Sequence, residues 1–133
     1  MWNQLNEAPT PYEGAGCIYS HSYVNGVGEV NPDNWVISPE FTIPANASSA
    51  TLSWYAAPQD PGYPEEHYGV YVGTGTDTAN YTQLFEETIS YSDYKNTTVD
   101  LTAYAGQTIR VAFRHFNCTD MFILKLDQVE VIV

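Results

Sequence analysis

The sequence predicts an all-β chain folded as a two-sheet antiparallel β-sandwich of the jelly-roll type. Three observations carry that expectation. Two-residue alternation of apolar and polar side chains recurs along the 133 residues, while no window of about 11 residues shows the i, i+3, i+4, i+7 apolar spacing of a helix. The composition is 44% hydrophobic and only 15% charged, with 11 Tyr and 3 Trp, and it is rich in Thr and Val, all residues that suit pleated, half-buried surfaces. Clusters of turn-formers ("NGVGEVNPD", "PANAS", "PQDPGYPE", "GTGTD", "YAGQ") divide the chain at short intervals, the rhythm of a sandwich or jelly roll.

The predicted strands follow from those two signals. They cover 17–24, 34–43 with a break at Pro39, 49–57, 66–74, 82–89, 96–101, 108–116 and 121–133. In "TIRVAFRHF" the side chains of Ile109, Val111 and Phe113 share one face and His115 continues it, leaving Arg110 and Arg114 on the other. In the last strand the apolar phase runs Phe122, Leu124, Leu126 and then slips to Val129, Val131, Val133, which predicts a β-bulge near Asp127 and Gln128. Trp35 and Trp54 lie in apolar blocks and are expected in the core.

The length suits one domain, residues 1–133, with a single core, read as a piece of a larger protein. With 16 acidic against 4 basic side chains the net charge is −12, so the surface repels nucleic acid phosphates and anionic lipid headgroups. No stretch approaches the roughly 20 apolar residues of a membrane-spanning helix, so membrane insertion is not expected, and no signal-like segment precedes Trp2. The acidic excess suits calcium, basic protein patches or neutral glycans. Cys17 and Cys118 lack the spacing of a zinc ribbon or a redox pair, leaving a long-range disulfide and two buried thiols as open alternatives.

The stretch "FRHFNCTDMF" (113–122) raises the possibility of catalysis, because His115 and Cys118 can approach each other across a turn. A thiol nucleophile also needs an orienting group and an oxyanion hole, and no such setting is visible. The reading is a core histidine hydrogen-bonded at a β corner beside a buried cysteine. Glu65-Glu66 and Glu86-Glu87, as neighbours in strands, point to opposite faces and present no carboxylate pair to a glycosidic bond. His21, His67 and His115 lack ligand spacing. The chain is read as not an enzyme.

Recognition is expected instead from loops 58–65 and 90–95, which are aromatic, polar and rich in turn-formers. Tyr63, Tyr91 and Tyr94 are the candidate ligand-binding side chains, with Trp2 and Tyr12 as further platforms, because aromatic faces stack on sugar rings and protein surfaces alike.

The blocks "NPDNWVISPEFTIP", "LSWYAAPQDPGYPEEHYGVYVGTGTDTANYTQLFEET" and "VAFRHFNCTDMFILKLDQVEV" resemble the cleaved adhesin, or hemagglutinin/adhesin, domain of gingipain-type cysteine proteases, itself similar to MAM-like choice-of-anchor jelly rolls. The resemblance covers most of residues 14–133. It implies a non-catalytic sandwich, secreted or at the cell surface, attached to a neighbouring catalytic domain that carries its own Cys and His. The partners it implies are host proteins, red cells or matrix proteins, often with bound calcium. Where such domains have a further strand and an Asp-rich loop before a Trp like Trp2, this sequence begins at the Trp, which would leave an unpaired sheet edge. The remaining calcium candidates are Asp127 first, at the phase shift, then Asp120, Asp60, Glu65 and Glu66. The alternative function is a carbohydrate-binding module of a secreted glycan-degrading enzyme, and the blandest is a spacer.

Overall fold

The computed structural model describes residues 2–5, 12–13 and 17–133, with only the backbone described at 3–5. Among the described residues the strands in chain order are β1 (Trp2–Leu5), β2 (Cys17–His21), β3 (Tyr23–Val24), β4 (Gly28–Glu29), β5 (Asn34–Ile37), β6 (Phe41–Thr42), β7 (Thr51–Pro58), β8 (His67–Gly73), β9 (Thr82–Thr88), β10 (Lys95–Asp100), β11 (Thr108–His115) and β12 (Ile123–Ile132). Two single-turn 3₁₀ helices, Thr78–Asn80 and Thr102–Tyr104, are the helical elements described.

One sheet runs β1-β2-β12-β7-β10 and the other β5-β11-β8-β9, with β6 continuing beside β11 and β3-β4 forming a small hairpin. Every pairing is antiparallel. The predicted all-β sandwich is therefore the observed architecture. Pro39 separates β5 from β6, as its missing N–H requires.

The core lies where the inward alternations of the two sheets meet. Leu52, Trp54 and Ala56 of β7 and Leu124 and Leu126 of β12 cluster with Tyr68, Val70 and Val72 of β8 and Ile109, Val111 and Phe113 of β11. Trp54 is fully buried, edge-on to Phe85 and Phe113 at 5.4 Å each. Its Nε1 donates to the Tyr68 hydroxyl at 2.9 Å, and that hydroxyl donates to Glu87 at 2.6 Å. A buried indole N–H thereby reaches a carboxylate through one phenol, which removes the cost of leaving it unpaired.

Several expectations need correcting. Trp35 is not in the core: Val36 takes the inward position of β5, and Trp35, registered opposite Arg114, lies on the outer face against Tyr71 at 4.6 Å and under the Arg114 guanidinium at 5.2 Å. Beyond the bulge only Val131 rejoins the core, while Val129 and Val133 are exposed. The bulge itself stands where the phase slip placed it, between Asp127 and Glu130, with Gln128 at φ 50°. Of the two alternatives left open for Cys17 and Cys118, the structure has no disulfide between them, Cys17 being buried and Cys118 half-buried. The stretch from Trp2 forms β1, which pairs along its length with β2.

Candidate functional site

β11 carries its alternation one step past Phe113, so His115 enters the sandwich at the end of the sheet, fully buried. Glu66, just before β8, is buried beside it and accepts from the His115 imidazole, Nε2 to Oε1, at 2.8 Å. Each remaining polar atom of the pair has a partner. Ser22 donates to the same Glu66 oxygen at 2.7 Å, the Phe122 N–H donates to Oε2 at 3.1 Å, and the Ser20 hydroxyl meets His115 Nδ1 at 2.6 Å. Asn34 in turn donates to Ser20 at 3.1 Å. Full pairing of this kind is the condition for burying a carboxylate at all.

Cys118, in the turn that follows β11, places Sγ 3.4 Å from His115 Nε2 and 3.6 Å from Glu66 Oε1. This is not a nucleophilic relay. A relay puts the thiol on one ring nitrogen and the acid on the other; here both lie on Nε2, and Nδ1 belongs to Ser20. Burial also pushes the Cys118 thiol up to about 12, opposite to what a thiolate nucleophile needs.

The buried network fixes a surface. Ser22 Oγ accepts from the Met121 and Phe122 amides at 3.2 Å each, and Asp120 N–H donates to the Ser22 carbonyl at 2.8 Å. The turn is tight, with Asn117 and Asp120 both at positive φ. Against it stand the β3–β4 hairpin and loop 58–65, enclosing a cleft of about 380 Å³ lined by Tyr23, Asn25, Asp60, Tyr63, Asp120, Met121 and Phe122. Asp60 closes its own loop by accepting from the Gly62 N–H at 2.9 Å, which presents Tyr63 outward at 59% exposure.

Loop 58–65 has a second cleft on its other side, of about 460 Å³, shared with loop 90–95 and lined by Tyr12, Pro58, Gln59, Pro61, Ser92, Asp93, Tyr94 and Lys125. Tyr12 stacks on Tyr55 at 4.0 Å and meets Tyr94 edge-on at 5.5 Å. Lys125 is 7% exposed with Nζ 4.8 Å from the Tyr94 ring, and burial lowers its pKa.

The two loops singled out in the sequence thus meet at one end of the sandwich. The three tyrosines differ: Tyr63 is exposed, Tyr94 walls the second cleft, and Tyr91 packs on the core and donates to Glu87 at 3.0 Å. The five proposed calcium ligands are not gathered at one point. Asp60 and Asp120 line one cleft, and Glu66 is buried in the network. Glu65 is exposed, and Asp127 accepts from the backbone N–H groups of Tyr12, Glu13 and Gln128 at the bulge. The three histidines do not converge either, since His67 lies between Thr88 and Glu86 on β9 at 2.7 and 2.8 Å. Tyr23, Asn25 and Phe122 were not singled out as cleft residues; two-residue strands such as β3 and β4 are too short for alternation to show. The "NG" at 25–26 was the available signal.

The chain is an antiparallel β-sandwich with clefts and loop surfaces at one end, and comparison with known proteins gives its family. The Cleaved Adhesin Domain family model matches residues 1–131, and the chain belongs to that family. The match begins ahead of residue 14, where the resemblance read from the sequence began. Hemagglutinin A of Porphyromonas gingivalis (strain ATCC BAA-308 / W83) is 37% identical over 142 residues, covering 90% of this chain and 6% of that protein. Gingipain R1 of Porphyromonas gingivalis (strain ATCC 33277) is 39% identical over 137 residues, covering 90% of this chain and 8% of that protein. The chain therefore spans less than a tenth of these relatives. The K1 cleaved adhesin domain of Lys-gingipain from Porphyromonas gingivalis W83 superposes with a TM-score of 0.86 at 38% identity, over 98% of this chain and 82% of that one. A carbohydrate-binding module of family 61, solved in complex with beta-1,4-galactotriose, shares the fold alone, with a TM-score of 0.64 at 11% identity over 98% of this chain and 81% of that one. No helix among the described residues is long and apolar enough to cross a membrane.

Proposed function

We propose that this domain is a non-catalytic, adhesin-like binding module of a secreted or cell-surface protein, appended to a catalytic neighbour and engaging host or matrix proteins through the end of the sandwich built around loop 58–65. The observation that carries this reading is the cleft of Asp60, Tyr63, Asp120 and Phe122, whose far wall is pinned from beneath by the buried Glu66 carboxylate. An exposed aromatic on a rigid base, rimmed by carboxylates, suits basic and aromatic protein surfaces, since anchor side chains bind best where little ordering is needed. Immobilised chain should retain red cells or matrix proteins, and Tyr63→Ala with Asp120→Asn should lose that retention with the melting temperature unchanged. Equal retention by the double variant would sink the surface.

The same cleft supports a second reading, glycan binding. Tyr23, Tyr63 and Phe122 offer ring faces beside Asp60, Asp120 and Asn25, the pairing of stacking and hydrogen-bonding groups that sugar rings require. A polysaccharide and glycan panel separates the two readings. Asp60, Asp120 and the Asn25 amide are also the hard oxygen donors through which this end of the domain would hold a structural Ca²⁺. Identical thermal unfolding with calcium and with chelator would remove the ion from the proposal.

A further inference from the structure

The buried Glu66–His115–Cys118 set is not used by the surface above, and its geometry asks for more than packing. Three donor atoms of different kinds, a carboxylate oxygen, an imidazole nitrogen and a thiol sulfur, all lie within 4.8 Å of one another. They form a closed triangle, with edges of 2.8 Å (Nε2 to Oε1), 3.4 Å (Sγ to Nε2) and 3.6 Å (Sγ to Oε1). A tetrahedral Zn²⁺ with a sulfur ligand at ~2.3 Å and nitrogen and oxygen ligands at ~2.0–2.1 Å has a face with edges of roughly 3.3–3.6 Å. Two of the three edges already stand at that spacing. The third is the hydrogen bond between Nε2 and Oε1 at 2.8 Å, which would open by roughly half an ångström for both atoms to ligate the ion.

We propose that Glu66, His115 and Cys118 form a binding site for a borderline-soft divalent transition-metal ion, Zn²⁺ being the best match to the donors. The donor chemistry argues against the hard cations, which take oxygen ligands and have no use for a thiol. The supporting shell is that of a metal site: Ser20 holds the second nitrogen of the ligating histidine, and Ser22 and the Phe122 amide hold the carboxylate. Cys118, half-buried, opens the site toward solvent as a route of entry. The proton balance is simple. Binding forms the metal–sulfur bond at the expense of the S–H bond, and that proton goes to water; Nε2 gives up its hydrogen while Nδ1 takes one and donates it to the Ser20 oxygen. No oxidant or reductant is needed.

The assignment is independent of what the surface cleft binds, and its test uses the ion alone. Titrating Co²⁺ into the reduced 133-residue chain should raise a near-ultraviolet thiolate-to-metal absorption that saturates at one equivalent and is discharged by Zn²⁺. Cys118→Ala should lose that absorption with an unchanged far-ultraviolet circular dichroism spectrum, and Cys17→Ala should keep it. The absence of a thiolate band in the native chain, or its survival in Cys118→Ala, would overturn the site. X-ray absorption of the Zn²⁺-loaded native chain needs no variant: a sulfur scatterer at ~2.3 Å supports the assignment, and a shell of nitrogen and oxygen alone refutes it.

Discussion

Glu66 and His115, brought together from the start of β8 and the end of β11, meet at 2.8 Å with both side chains fully buried. The contact ties two paired antiparallel strands of one sheet to the Ser20–Ser22 segment of the other. Truncating one member of such a pair leaves the other polar and dry. Glu66→Ala should therefore destabilise the domain by about 3–5 kcal/mol, while Glu66→Gln, whose amide oxygen still accepts from Ser22, should cost clearly less. Urea unfolding of the two variants checks the order, and an Ala variant no worse than Gln would show that the bond from Ser22 to the side-chain oxygen contributes nothing.

The alkaline limb of stability should belong in part to Cys118. Burial pushes its thiol up to about 12, and burial likewise raises Tyr68, Tyr91 and Tyr94 above the ordinary phenol range. The folded chain then keeps protons that the unfolded chain releases, the thiol proton first, from about pH 8.5. The unfolded state binds fewer protons in that window, so the free energy of unfolding falls as pH rises. Stability present below roughly pH 8.5 should drain away toward pH 12, and Cys118→Ala should flatten the first part of that fall. Denaturant midpoints measured across this range decide it; parallel profiles for native chain and variant would contradict the assignment.

Much of this was legible in the chain because burial alternates where strands are long. The stripe Ile109, Val111, Phe113, His115 predicted both the inward face of β11 and the burial of His115, and the apolar slip at Asp127 predicted the bulge. Trp35 was misread because an aromatic in an apolar block can satisfy its surface on an outer face, here against Tyr71 and Arg114. Local periodicity says nothing of which strand lies opposite. The cleft was only half visible for a related reason: Tyr63 stood out by composition, whereas Phe122 becomes a wall through its amide's hydrogen bonds to Ser22 and Glu66, and Tyr23 through its amide on the Phe122 carbonyl, contacts that only the tertiary fold makes.

The tyrosines of the two recognition loops should separate cleanly. Tyr63, exposed, can be replaced by Ala within about 0.5 kcal/mol of native stability. Tyr91 packs against the core and donates to Glu87, so Tyr91→Ala should cost about 1–3 kcal/mol and Tyr91→Phe only the hydrogen-bond share of that. Thermal melts of the three variants suffice. A Tyr91→Ala chain as stable as native would place that ring outside the framework.

Gly73 ends β8 beneath the ring of Tyr81. A Cβ there would sit 2.5 Å from Cδ1 of that ring, whose hydroxyl is held by the Gly75 carbonyl at 2.7 Å. The ring cannot swing away without giving up that bond and its edge contact with Trp35 at 6.2 Å. Gly73→Ala should cost about 1–3 kcal/mol, the range of overpacking, and Tyr81→Ala in the same chain should recover part of it. Additive losses in the double variant would mean that the two residues do not meet.

The bulge between Asp127 and Glu130 sets two costs against each other. Gln128 is held at φ 50°, a left-handed conformation that disfavours a residue with a Cβ by roughly 1–2 kcal/mol. Glycine removes that penalty but loses about 0.5–1 kcal/mol of chain entropy on folding, so the conformational gain wins narrowly. Gln128→Gly should raise stability by up to about 1 kcal/mol. Asp127 works in the opposite direction: its carboxylate accepts from the amides of Gln128 at 2.8 Å, Tyr12 at 3.0 Å and Glu13 at 3.1 Å, pinning residues 12 and 13 to the bulge. Asp127→Ala frees all three and should cost about 1–2 kcal/mol, with faster amide exchange at residues 12 and 13. Since Gln128→Gly keeps the carboxylate, it should leave that exchange slow. If both variants speed exchange equally, the pinning comes from the shape of the bulge and not from the Asp127 side chain.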